Sequence, residues 1–127
     1  MTHIINSLDE ISHHYDALFV DLWGCVHNGI VAYTAAVEAL IEYRKNGGKV
    51  VLVTNSPKPR IGVEKQLLHF NVPKICYDTV ATSGDSARVA MFTGVVGKKI
   101  FFIGEPRDQL FFEPISIIKS PIKIEQV

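Results

Sequence analysis

Leu18-Phe19-Val20-Asp21-Leu22-Trp23-Gly24 is the stretch that decides the fold. Apolar residues flank a lone carboxylate and a glycine then breaks the run, which reads as a buried strand delivering one charged group at its C-terminal end. Burying an aspartate without a partner is costly. Its place here implies a cation, a strong set of hydrogen bonds, or a position at the open edge of a sheet. In open α/β sheets that edge is where ligands bind.

Working outward, a second apolar run, Lys49-Val50-Val51-Leu52-Val53-Thr54-Asn55-Ser56, ends in hydroxyl and amide groups. Between the two runs, Thr34 stands as an N-cap, and Val37, Leu40 and Ile41 recur on one helical face. Arg44 and Lys45 fall in the last turn, before a stop at Gly47-Gly48. Strand, helix and strand make a βαβ unit, almost always right-handed, so the Asp21 and Thr54 ends should share one edge of a parallel sheet. After Gly24, Asn28-Gly29 has the positive-φ tolerance of a tight turn and predicts a small flap over the strand end. Upstream, Ser7-Leu8-Asp9-Glu10 has capping-box spacing and predicts a helix over 8–14. His13 and His14 next to Asp16 could pass for a metal cluster, but no further ligand stands at helical or hairpin spacing, and solvated or capping histidines are the simpler reading.

Downstream, Ser56-Pro57 predicts a helix start, with proline in the first turn and the helix running to about His69. Phe70-Asn71-Val72-Pro73 ends it, with Asn71 able to take the left-handed cap conformation. A short strand follows over Asp78 to Ala81. Thr82-Ser83-Gly84-Asp85 then caps a helix through about Thr93, and Ile100-Phe101-Phe102-Ile103 predicts a further buried strand ending at Gly104. Beyond Gln109, Ile115, Ile117, Ile122 and Ile124 alternate, but Pro114 and Pro121 interrupt them. Apolar strands alternating with capped helices predict a three-layer, Rossmann-like α/β domain with a mostly parallel sheet and the Asp21 strand near its centre.

The 127 residues suffice for one domain with a real core. Thirteen acidic residues balance thirteen basic ones, and no basic cluster stands out, so a nucleic-acid or anionic-membrane partner has no electrostatic footprint. A small charged metabolite remains compatible. The two cysteines, Cys25 and Cys76, suggest neither a zinc site nor a disulfide framework. The N-terminus lacks the basic start and apolar block of a signal peptide, and no apolar run approaches a membrane span. A soluble cytoplasmic protein is the expectation.

The run Phe19-Val20-Asp21-Leu22-Trp23-Gly24-Cys25-Val26-His27-Asn28-Gly29 together with Val53-Thr54-Asn55-Ser56 resembles the haloacid dehalogenase-like phosphatases, specifically their class IIA group. Thr82-Ser83-Gly84-Asp85 and Ile103-Gly104-Glu105 add weaker support, and the resemblance covers roughly residues 16 to 110. It implies a magnesium-dependent phosphohydrolase acting on a small phosphorylated metabolite, with Asp21 as nucleophile forming an aspartyl-phosphate that water hydrolyses. Magnesium would be held by Asp21 and by the backbone carbonyl of Trp23, bringing two anions together. Thr54 would donate its hydroxyl to the transferring phosphoryl, with Asn55 adding a donor. For either residue alone, a structural strand-end role would be the better account; the pair in this context favours function.

Two departures from the family pattern stand out. Trp23 occupies the position where the phosphatases usually have a second aspartate, which protonates the leaving oxygen and then activates water; an indole can do neither. His27 on the flap could substitute, against the plainer reading of an exposed flap histidine. Second, the family's later motifs, a lysine and a paired-acid segment that normally follow a cap domain, cannot be located. Neither Lys119 nor Lys123 has the right setting. The expectation is therefore a partial core domain over residues 1–127 with impaired turnover, or a non-catalytic binding module of the same fold, with its open sheet edge free for self-association.

Cys25 beside the site invites a cysteine-phosphatase reading, but the arginine six positions on is replaced by Val31, and Cys76 meets Thr82 in the same way. Both cysteines read as small buried apolar groups. Gly94 and Gly97-Lys98-Lys99 resemble a P-loop only superficially, and a turn before a strand accounts for them.

Overall fold

A computed structural model describes residues 3–112 and 125–126. Its elements are helix α1 (Asp9–Ser12), strand β1 (Ala17–Asp21), helix α2 (Thr34–Lys45), strand β2 (Lys49–Thr54) and helix α3 (Arg60–His69). A 3-10 turn (Lys74–Cys76), strand β3 (Thr79–Thr82), helix α4 (Ser83–Phe92), strand β4 (Lys99–Ile100), a 3-10 segment (Pro106–Phe112) and strand β5 (Glu125–Gln126) follow. Strands β1, β2 and β3 form one parallel sheet in that order. The register pairs Asp21 with Val53 and Thr54 with Thr82, so the C-terminal ends of all three strands lie together. This is the α/β, Rossmann-like architecture with a parallel sheet that the alternation of apolar runs and capped helices predicts.

Because side chains alternate along a strand, the register sorts them into two faces. Leu18, Val20, Val50, Leu52 and Val80 face one way, and Val50 and Leu52 are fully buried against Leu40 and Tyr43 of α2 and Val63 and Leu67 of α3. Two right-handed crossovers running in the same direction across the sheet put both helices on that side. Phe19, Val51 and Val53 face the other way, where Phe19 is 79% exposed. β1 is thus half-buried, not buried on both faces. It also stands at the edge of the three-stranded sheet, not near its centre, because no described strand pairs with its outer side.

Local signals place the elements with a few shifts. Gly47 (φ +93°) and Asn71 (φ +64°) take left-handed conformations and stop α2 and α3. At α1, Glu10 Oε1 accepts from Asn6 N and Ser7 N, half of a capping box, but the Ser7 hydroxyl caps nothing and the helix shortens to one turn. Thr34 is the first residue of α2, after Tyr33, so it is not the N-cap. α3 starts at Arg60, later than Ser56-Pro57 suggests. Ser56 Oγ accepts from Lys58 N in a local turn, and Pro59 precedes the helix. Thr82 does cap α4, accepting from Asp85 N at 2.9 Å.

The largest difference lies at Ile100-Phe101-Phe102-Ile103. Only Lys99–Ile100 is strand, paired in parallel with β5 and separate from the main sheet, and Ile103 is 86% exposed. A continuous apolar run is buried only where a neighbour covers both its faces, and none of the described elements does so here. Gly94 and Gly97 both take positive φ, which fits the turn before β4. The alternating isoleucines between Ile115 and Ile124, and Lys119 and Lys123, lie outside the described residues.

Candidate active site

Asp21 ends β1 and stands exposed at the open edge of the sheet. Its Oδ1 accepts from the next residue's backbone, Leu22 N, at 2.8 Å, and no cation lies against it among the described residues. Phe19, Asp21, Val53, Thr54 and Asn55 line a shallow hollow of about 670 Å³ over this strand end. The two predicted groups, carboxylate and hydroxyl, therefore meet where the βαβ argument puts them.

Thr54 Oγ1 accepts from Ser56 N at 3.2 Å. With a lone pair so used, the hydroxyl hydrogen is left to donate outward. Asn55 is exposed beside it.

The flap is built from local bonds. Gly24, at φ +78°, turns the chain out of the strand end, and its N–H donates to His27 O at 2.9 Å. Asn28 Oδ1 accepts from Ile30 N and Val31 N, and Tyr33 N donates to Val26 O and Ala32 N to Phe70 O, which pins the flap to the end of α3. Val26 is fully buried under it. The indole of Trp23 lies on the flap tip so closely that a Cβ on Gly29 would meet Trp23 Cη2 at 2.2 Å. Only glycine fits beneath that ring, and Gly29 also adopts φ +87°.

His27 corrects the sequence reading: it is 5% exposed, not a solvated flap residue. Its ring packs 4.8 Å from Phe70 and meets the edge of Trp23 at 5.9 Å. Nδ1 accepts from Gly29 N at 3.0 Å. A backbone N–H can only donate, so the ring proton sits on Nε2. Burial pushes the imidazole below its usual pKa, and the charge of Asp21 draws it part of the way back. The ordinary state of this histidine is the neutral Nε2–H tautomer. The signal that could have found this burial is the cross-chain aromatic Phe70, invisible to a local reading of the flap.

Cys25 also differs from expectation, being exposed, whereas Cys76 is buried and its thiol is pushed up by burial. Between the flap and the loop after β2 lies a second cleft of about 300 Å³, lined by Leu22, Trp23, His27, Thr54, Asn55 and Lys58 among others. Lys58 follows directly from the Asn55-Ser56-Pro57 strand exit, and as the one cation of that wall it went unnoticed in sequence. Its Nζ lies 3.3 Å from Gln66 Oε1.

Among the described residues no group of three or more His, Cys, Asp or Glu side chains is gathered to hold a metal, and no helix is long and apolar enough to cross a membrane. The family model for haloacid dehalogenase-like hydrolases matches residues 18–115. The chain belongs to that family. A crystal structure of a hydrolase of the haloacid dehalogenase-like family from Brucella suis 1330 is similar to it, with a TM-score of 0.83 and 36% identity over 98% of this chain. The chain spans 44% of that structure's length. No curated protein matches. The class IIA resemblance is consistent with both matches.

Proposed function

We propose that the protein works as a magnesium-dependent, cytoplasmic phosphohydrolase that acts on a small phosphorylated metabolite through an aspartyl-phosphate at Asp21. One observation carries this reading: Asp21, Thr54 and Asn55 converge on a single hollow at the C-terminal edge of a parallel sheet, with the carboxylate unpaired by any described cation. An Asp21 oxygen attacks phosphorus as the ester P–O bond breaks, and water later releases phosphate and restores the carboxylate. The Thr54 hydroxyl, anchored by Ser56 N, donates to a phosphoryl oxygen, and the Asn55 amide offers a second donor.

The donors at the strand end fit magnesium in kind, since Asp21 and the Trp23 carbonyl are both hard oxygen ligands. When bound there, the ion would neutralise phosphoryl charge. One side-chain carboxylate gives a partial set, leaving most of the ion's shell to water, and affinity for the ion should be weak.

The second reading is a binding module of the same fold with little or no turnover. It is favoured by Trp23, which has no acid to offer the leaving oxygen. Its partners would be the same small phosphorylated compound, or another copy of the chain at the outer edge of β1, which no described strand covers. Phosphate release from a panel of phosphomonoesters with magnesium, wild type against Asp21→Asn, separates the two. Magnesium-dependent release that Asp21→Asn abolishes supports the enzyme, and release indifferent to that substitution removes Asp21 from its role.

A further inference from the structure

The chain holds two Asn-Gly pairs, Asn28-Gly29 in the flap and Asn46-Gly47 at the end of α2, and both asparagines are exposed. Such a pair can modify itself, because the glycine nitrogen, unhindered by any side chain, can attack the asparagine Cγ and close a cyclic imide. Three things govern that step: how near the carboxamide lies to the nitrogen, what takes the proton from it, and what carries the charge that builds on Oδ1. The two pairs differ in all three. At the end of α2, Gly47 N donates to Arg44 O at 3.0 Å, an oxygen too weakly basic to take its proton. Asn46 Oδ1 accepts from no backbone N–H among the described residues.

In the flap, Gly29 N donates to His27 Nδ1 at 3.0 Å, so the proton that must leave already lies against an imidazole lone pair. Asn28 Oδ1 accepts from Ile30 N and from Val31 N, each at 2.9 Å. Those bonds fold the carboxamide back over Gly29, the residue that would attack it, and aim two donors at the oxygen on which charge develops. The His27 ring is buried and packed against Phe70, which holds it on the amide. We propose that the flap is a self-modification site at Asn28, with His27 Nδ1 as general base and the Ile30 and Val31 amides as an oxyanion hole. Gly29 N bonds to Asn28 Cγ as its proton passes to His27 Nδ1. The Cγ–Nδ2 bond then breaks, and ammonia leaves with that proton, which gives the imide. Water adds to either imide carbonyl and leaves aspartate or isoaspartate at position 28. The product carries a new carboxylate on the flap, and isoaspartate also lengthens the backbone next to Gly29, against which the Trp23 ring rests. This goes beyond the phosphoryl reading and does not depend on it.

The second Asn-Gly pair makes the test internal to one molecule. The full 127-residue chain is incubated at neutral pH, folded and in urea, and mass spectrometry of its proteolytic fragments reads the conversion of amide to acid at Asn28 and at Asn46 separately. In urea, with the fold removed, the two pairs should convert at comparable rates. In the folded chain Asn28 should convert at least about tenfold faster than Asn46, and faster than it does in urea. His27→Gln offers Gly29 N an acceptor of similar reach with no basic nitrogen, and should slow Asn28 about tenfold or more while leaving Asn46 unchanged. Asn46 also reports on the variant's fold, since its rate rises to the urea value if the chain opens, and the wild-type comparison of folded with unfolded chain stands whatever that variant does. A folded Asn28 that converts no faster than Asn46 overturns the proposal. So does a folded His27→Gln chain that converts faster at Asn28, because the imidazole would then guard the amide and not activate it.

Discussion

Two aspartates mark opposite ends of the sheet, and their surroundings could hardly differ more. Asp78, just before β3, accepts from Val50 N at 2.8 Å, takes Arg44 through Nε and Nη2 at 3.2 and 2.9 Å, and has Lys49 Nζ at 3.8 Å. Arg44 also donates to Ile75 O, so one guanidinium ties α2, the 3-10 turn and the start of β3 together. Asp21, at the other end, accepts from one local backbone donor, and among the described residues no cation lies against it. A carboxylate whose lone pairs are filled by its own chain is a structural tie. One left open over a hollow is available to a ligand.

The comparison can be broken most decisively at Asp21. If the chain turns over phosphomonoesters, Asp21→Asn should lower phosphate release by a factor of about a hundred or more, because the amide is no nucleophile. Its unfolding free energy should change by less than about 0.5 kcal/mol, since little of the fold rests on that side chain. Urea denaturation alongside the assay checks both. Asp78→Ala should do the reverse, costing about 2 kcal/mol of stability by leaving Arg44 and Val50 N unpaired, with the strand-end hollow intact. A stable Asp78→Ala chain would show that the ion pair is incidental.

Acid sharpens the same contrast. The hydrogen bond from Val50 N, then the Arg44 side chain, holds the Asp78 carboxyl below its ordinary value of 3.8. A depressed folded pKa means the unfolded chain binds the proton more readily, so this contribution is complete above the ordinary carboxylate value and fades as pH falls below it toward the folded value. Stability measured by urea titration from pH 6 down to pH 2.5 should fall in that lower window, and Asp78→Asn should flatten part of the fall. The smallest effect belongs to Lys49, whose side chain is 70% exposed at 3.8 Å from Asp78. Lys49→Ala should cost no more than about 0.5 kcal/mol, and less in high salt.

Much of this was legible in the chain itself. The apolar runs of β1 and β2, the helix stops at Gly47 and Asn71 and the Thr82 cap are local signals whose physical cause acts within a few residues, and the structure places them as read. The meeting of Asp21 with Thr54 and Asn55 followed from the handedness of one crossover. What could not be read was burial that depends on distant partners. Ile100 to Ile103 has the composition of a core strand, yet composition does not say whether a neighbour covers it. The same holds in reverse for His27, polar and on a flap, but buried by Phe70 from the end of α3.

Gly84, at the start of α4, meets the loop after β2 with no space between them. Its N–H donates to Ser56 O at 3.1 Å, and a Cβ there would come within 2.2 Å of Pro57 O. Backbone is seated directly on backbone, with no side chain to act as a cushion. The loop that follows Thr54 and Asn55 therefore cannot shift without pushing on α4, or α4 without pulling on the loop. A ligand that tightens around those two residues would load the helix like a lever, and a methyl group at position 84 would jam it from the far side.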